Sequence, residues 1–187
     1  MPRRRVELER DEKTREIVDA AAIRLRADGY DGLSVAALAR DLGIANNSVY
    51  WYFPSKDELV IAAVQVMLRD IVGRKPPASR GLEHQVLWFV DQLAELADLR
   101  ATLAQRARTS PVVADFVADT NARLRRMLAH ALEPHVSQRD LENATDALLA
   151  TVQGTQAAAL PPRRRRQVLR YALRKLTDTH STTRSSR

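Results

Sequence analysis

Between Gly43 and Pro54 the chain sets two carboxamides, a hydroxyl, a phenol and an indole close together: Asn46, Asn47, Ser48, Tyr50 and Trp51. None of these side chains ionises near neutral pH, so the group is suited to hydrogen bonding and stacking rather than to proton transfer. An Asn carboxamide matches the edge of adenine, and such a bidentate pair discriminates between bases by about 1–3 kcal/mol. A hydroxyl at Ser48, a phenol at Tyr50 and an ammonium at Lys56, each near a helix start, suit the phosphates that flank those edges. Ser34 has the same capacity as well as that of a helix cap. The chemistry open to this set is recognition of duplex DNA.

Such residues work only if a helix carries them into a groove, and the flanking sequence builds one. Ile17, Ala20, Ala21 and Leu25 recur at helical spacing and predict a first helix from about Lys13 to Ala27, stopped by Asp28-Gly29-Tyr30-Asp31-Gly32. Ser34 caps a second helix that runs to about Leu42, with Leu33 and Leu38 placed as a hydrophobic staple. Gly43 supplies the turn, and Ile44-Ala45-Asn46-Asn47 leads into a short third helix, Ser48 to Phe53, ended by Pro54. Two short helices joined in this way make a helix-turn-helix over Ser34–Phe53, with the second helix in the major groove. Val35, Leu38, Leu42, Ile44 and Val49 are spaced to pack the pair together. Asn46, Asn47, Tyr50 and Trp51 project from the opposite side, while Tyr52 and Phe53 read as core. For Trp51, contact with DNA and contact with a neighbouring helix both remain open.

The head as a whole resembles the tetracycline-repressor (TetR) family of transcription regulators. The resemblance runs over about Lys13 to Val64. It is carried by Thr14-Arg15-Glu16-Ile17, Asp28-Gly29-Tyr30, Leu33-Ser34-Val35-Ala36-Ala37-Leu38-Ala39, Leu42-Gly43-Ile44 and Ser48 through Leu59. It implies an all-α fold, in which a three-helix DNA-binding head joins a C-terminal helical bundle that binds a ligand and dimerises. It further implies a homodimer on a palindromic operator, with Ser48, Tyr50 and Lys56 on phosphates. On that basis residues 11–57 form the DNA-binding domain, 58–178 the effector-binding and dimerisation domain, and 179–187 a disordered tail. The family usually has Ser or Thr at the position of Ala45, and Ala weakens the cap of the third helix by about 1 kcal/mol. Asn46 or Asn47 is expected to take over, leaving the other free to read bases; the sequence does not divide the two roles.

The body shows helical periodicity but no comparable motif. Ser55-Lys56-Asp57-Glu58 is a capping box that opens a fourth helix reaching about Val72. Gly73–Gly81 interrupts all periodicity. Further helices are predicted over Leu82–Leu99, Arg100–Arg108, Ser110–Leu132, Val136–Leu160 and Pro161–Leu176, about nine in all. Leu148, Leu149 and Val152, with Leu169, Ala172 and Leu176, form faces suited to a dimer interface of four helices, the alternative being that both faces pack inside one subunit. Trp88, Phe89, Phe116, Met127 and Gln153 are the candidate pocket residues for a small-molecule effector, although the same spacing serves plain core packing.

Composition narrows the alternatives. The absence of Cys removes disulfide frameworks and thiolate metal sites and fits a reducing, cytoplasmic setting. The longest apolar run, Leu59–Leu68, falls well short of the roughly 20 residues that span a bilayer, and no signal-type segment opens the chain. His84, His130, His135 and His180 show no metal-ligand spacing, and no catalytic triad or phosphate loop is present, so neither enzyme nor cofactor is expected. The net charge of +7 invites an acidic partner, yet residues 1–70 carry 11 Lys/Arg against 12 Asp/Glu. The excess sits beyond them, in Arg163–Arg166 and after, where a solvated helix face is expected. Arg3, Arg4 and Arg5 read as an arm without a role. Two rivals fit the same residues: a DNA-binding protein with no effector, and a helical enzyme or interaction module with a head that only looks like a DNA reader.

Overall fold

The computed structural model describes the backbone of residues 2–178 and the side chains of residues 10–178 except Ala78. The expected tail 179–187, His180 and the side chains of Arg3, Arg4 and Arg5 lie outside these described residues. Among them there is no strand, and the order is α1 (Pro2–Gly32), α2 (Val35–Asp41), α3 (Asn46–Tyr52), α4 (Lys56–Gly73), a 3-10 turn (Ala78–Arg80), α5 (Leu82–Ala94), α6 (Ala97–Arg106), α7 (Pro111–Leu132), α8 (Leu141–Ala157) and α9 (Pro162–Asp178). No helix among the described residues is long and apolar enough to cross a membrane.

The described residues form two compact units. The first comprises the chain through Arg74 together with Asp98–Val117. Its core is the seam between α1 and α4, where Ile17, Val18, Ala21, Ala22 and Leu25 pack on Leu59, Val60, Ala63, Val64 and Met67, all buried. Burying that seam is what makes the head more than three short helices, none of which is stable alone. α1 starts well before Lys13, because residues rich in Arg, Glu and Lys extend a helix without any apolar period to announce it. It also runs past Ala27 to Gly32, interrupted at Gly29 by a left-handed φ of 68°.

The second unit comprises Lys75–Ala97 and the chain from Ala118 onward. Val86, Leu87 and Val90 of α5, Leu128 and Leu132 of α7, Leu148 and Val152 of α8, and Leu169 and Leu173 of α9 form one core. This corrects the expected dimer face: Leu148, Val152 and Leu169 are consumed inside one chain, with Leu149 and Leu176 half-buried against them. Four helices meeting around a centre bury one stripe of each, and these leucines are that stripe. The basic α9 is also corrected in part: Arg165 and Arg166 pair with Asp91, and Arg170 with Glu83, so three of its cations fasten α9 to α5 while Arg163 and Arg164 stay exposed. The long helix expected over Leu82–Leu99 divides at Glu95-Leu96 into α5 and α6.

Candidate nucleic-acid interface

The interface is built from the turn outward. Ser34 stands in extended geometry before α2, and its Oγ accepts a hydrogen bond from the Ala37 amide at 3.3 Å, while Leu33 and Leu38 are buried on either side of the cap. The end of α2 is closed by two backbone bonds, from the Ile44 amide to the Ala39 carbonyl at 3.0 Å and from the Gly43 amide to the Arg40 carbonyl at 3.1 Å. That pairing is a Schellman motif, which requires a left-handed residue, and Gly43 supplies it with φ +64°. Nothing lies within 4 Å of the place a Cβ would occupy, so glycine is demanded by the backbone and not by crowding.

From this turn α3 leaves as a helix that begins at Asn46, two residues ahead of the predicted start. Ala45 holds the cap position with extended φ/ψ of −68° and 144° and makes no side-chain cap bond. Neither asparagine takes over. The Ala45 carbonyl receives the Ser48 amide at 2.9 Å, so the backbone starts the helix unaided and both Asn46 and Asn47 sit inside its first turn, exposed. Among the described residues neither carboxamide makes a side-chain hydrogen bond, which leaves both donors and both acceptors directed outward.

Four residues share the open face of α3: Asn46, Asn47, Tyr50, which is 42% exposed, and Trp51, which is 63% exposed. Val49 and Phe53 are buried on the other side and anchor the helix. Tyr52 is half-buried, with its ring 4.8 Å from that of Trp51 in an edge-on arrangement. From outside α3, the guanidinium of Arg10 on α1 lies 4.6 Å from the centre of the Trp51 ring. Ser48 is half-buried. Lys56, the first residue of α4, rests its ammonium 4.5 Å over the Tyr30 ring.

The first unit also holds a node that the sequence reading missed. Asp57, 7% exposed, accepts from the Tyr30 hydroxyl at 2.6 Å and from Nε and Nη2 of Arg106, both at 2.8 Å. The Arg106 fork, helped by the hydroxyls of Tyr30 and Ser110, draws the Asp57 carboxyl down to about 2 against the pull of burial. Burial, with the Asp57 carboxylate beside it, pushes the Tyr30 phenol up to about 12. The node therefore ties the end of α1 and the start of α4 to α6 within the first unit. Its signal was in the sequence: Asp57 precedes Val60, Val64, Met67 and Ile71 at helical spacing, on the face of α4 that is buried. The capping box explained Ser55, whose Oγ accepts the Glu58 amide at 3.2 Å, and drew attention from the neighbouring carboxylate.

The expected pocket residues lie on α5, α7 and α8. Trp88 and Phe89 on α5 and Met127 on α7 are half-buried, Gln153 is exposed on α8, and Phe116 belongs to the first unit. A hollow of about 420 Å³ lies on the outside of α9, lined by Arg164, Gln167, Val168, Tyr171 and Arg174, and it is open to solvent. Among the described residues no group of three or more His, Cys, Asp or Glu is placed to hold a metal ion.

Residues 17–63, which contain α2 and α3 and most of the α1–α4 seam, match the bacterial regulatory proteins of the tetR family. The chain also matches the HTH-type transcriptional repressor KstR of Rhodococcus jostii, 31% identical over 78 residues, 41% of this chain and 37% of that protein. The aligned stretch thus spans little more than a third of that relative. Among solved structures, a transcriptional regulator of Rhodococcus sp. Rha1 superposes with a TM-score of 0.70 at 22% identity, over 89% of this chain and 96% of its own. A transcriptional regulator from Saccharomonospora viridis in complex with choline superposes with a TM-score of 0.66 at 17% identity, over 86% and 94%. At these identities the body shares a fold with them.

Proposed function

We propose that this chain is a sequence-specific, DNA-binding transcriptional regulator, a cytoplasmic homodimer that represses from a palindromic operator and is released by a small-molecule effector. One observation carries the DNA part: α3 gathers Asn46, Asn47, Tyr50 and Trp51 on one open face while Val49 and Phe53 hold its back and Gly43 sets its angle from α2. Asn46 and Asn47 then meet base edges, Trp51 packs against the groove, and Ser34, Ser48, Tyr50 and Lys56 hold phosphates. DNA reading is assigned to residues 11–57, and effector binding and dimerisation to residues 58–178.

For the dimer, α8 exposes Asn143, Ala147, Ala150, Gly154 and Ala157 at alternating steps of four and three residues. Small side chains in that rhythm let a second helix come close. Tyr171 of α9 is 59% exposed and offers further apolar area. For the effector, Trp88, Phe89, Phe116, Met127 and Gln153 are the candidates, and the choline complex of a protein with this fold supports a small-molecule role for the body.

The test is selection of duplexes from a random pool by the purified full chain. Enrichment of a palindrome supports the proposal, and a pool with no enriched duplex overturns it. A thermal-shift screen on the same protein decides the effector: stabilisation by a metabolite that also releases the operator supports release. Operator binding with no stabilising metabolite leaves a regulator without an effector.

A further inference from the structure

The segment Asn46–Tyr52 contains no charged residue, so α3 neutralises no phosphate by itself. Affinity for duplex DNA comes chiefly from cations on phosphates, and they must therefore arrive from elements beside α3. Arg40 of α2 is exposed and forms no ion pair among the described residues, while several other cations of the unit are engaged. Arg24 pairs with Asp41, Arg26 with Asp70 and Arg106 with Asp57, and the Lys56 ammonium lies over Tyr30. Arg10 differs: it is exposed, forms no ion pair among the described residues, and seats its guanidinium on the face of Trp51.

We propose that Arg10 of α1 is a DNA contact of this interface, gripping a phosphate beside the groove while its stacked guanidinium holds the Trp51 indole in position. The inference rests on the DNA-binding function proposed above. Its physical basis is the geometry of stacking. A guanidinium that lies over an aromatic ring spends its π face there and keeps its in-plane N–H donors free, whereas a carboxylate partner would have consumed them. Those donors form the planar fork that fits a phosphate bidentately. Trp51 is meanwhile held from two directions, by Arg10 over its face and by Tyr52 edge-on, and the rest of the ring is open. An indole fixed in this way before DNA arrives loses less freedom on binding than a free one. Arg10 thus serves as a phosphate anchor and as the positioning residue for Trp51.

The experiment measures binding of the selected duplex and a scrambled one to the full chain across a salt series, for wild type, Arg10→Ala, Arg10→Lys, Trp51→Ala and the double variant Arg10→Ala/Trp51→Ala. Loss of one phosphate contact per subunit should weaken Arg10→Ala about tenfold on both duplexes and flatten the salt slope by about 2 for a dimer. Arg10→Lys keeps the charge and should keep most of the slope. If Arg10 positions Trp51, the double variant loses less than the product of the two single losses. Wild-type affinity and slope in Arg10→Ala overturn the inference, as does a loss confined to the selected duplex with an unchanged slope. Failure of wild type to bind any duplex overturns the DNA-binding proposal itself, which separates the two failures.

Discussion

α3 and α9 are opposite solutions to presenting a polar surface. α3 has no charge and no side-chain cap, yet Asn46, Asn47, Tyr50 and Trp51 are exposed on a helix pinned by Val49 and Phe53. α9 carries seven Arg and Lys residues, and three of its arginines are spent on Asp91 and Glu83 of the same unit. Charge density therefore does not locate a DNA-reading surface. Placement does, because hydrogen bonds to base edges need fixed geometry, whereas a phosphate accepts a cation from many directions. The difference also explains why the overall charge of +7 misdirects: it records helix fastening and solvation in one region while the proposed reading face lies in another.

The largest effect is expected away from α3, at the buried Asp57 node. Arg106→Ala leaves the Asp57 carboxylate buried without its fork, and stability should fall by about 3 kcal/mol, read as a lowered midpoint in urea or heat. The pH dependence follows from the same node. The Asp57 pKa is lowered in the fold to about 2 from 3.8, so its contribution is present above about pH 4 and drains away as pH falls from there toward 2. The Tyr30 pKa is raised to about 12 from 10.0, so its contribution is present below pH 10 and is lost as pH rises from 10 to 12. Arg106→Ala should flatten the acid arm, and an unchanged acid arm would sink the role given to the node.

A smaller effect sharpens the division of labour on the open face. Asn47→Ala should cost about 2 kcal/mol on the matched operator and little on a scrambled one, because a base contact carries sequence information. Tyr50→Ala should weaken both by a similar factor, as a phosphate contact does. Equal losses on both duplexes for Asn47→Ala would move it to the phosphate class.

Smaller again is the cap. Ala45→Ser supplies the missing oxygen in a backbone already extended at φ −68° and ψ 144°, and should stabilise the protein by about 1 kcal/mol. A drop in melting temperature would show that the start of α3 is governed by something other than its free amides. Least is expected from α9, where Arg163→Ala and Arg164→Ala, both exposed, should leave operator affinity and its salt slope unchanged. A flattened slope in either would erase the contrast between the two helices.

Much of this was legible without coordinates, and the reasons are local. The Ser34 cap, the Gly43 turn and the Pro54 stop are short-range signals, since each satisfies or removes a backbone hydrogen bond within a few residues. The outward set on α3 followed from helical period, because buried Val49 and Phe53 fix which side faces out. The ends of α1 were not legible: its charged N-terminal stretch has helix propensity but no apolar stripe, and its far end overruns the Gly29 interruption. Nor was the fate of Leu148, Val152 and Leu169, because an apolar stripe does not say whether its partner is in the same chain or in another.

The sequence alone determined the helix-turn-helix, its caps and its turn, because those depend on bonds between near neighbours. Only the tertiary structure decided what stands behind and beside it. Arg106 reaches Asp57 across 49 positions of chain, and Arg10 reaches Trp51 from the far part of α1. Such pairings are set by how α1, α4 and α6 pack within one unit, and no local spacing encodes that packing.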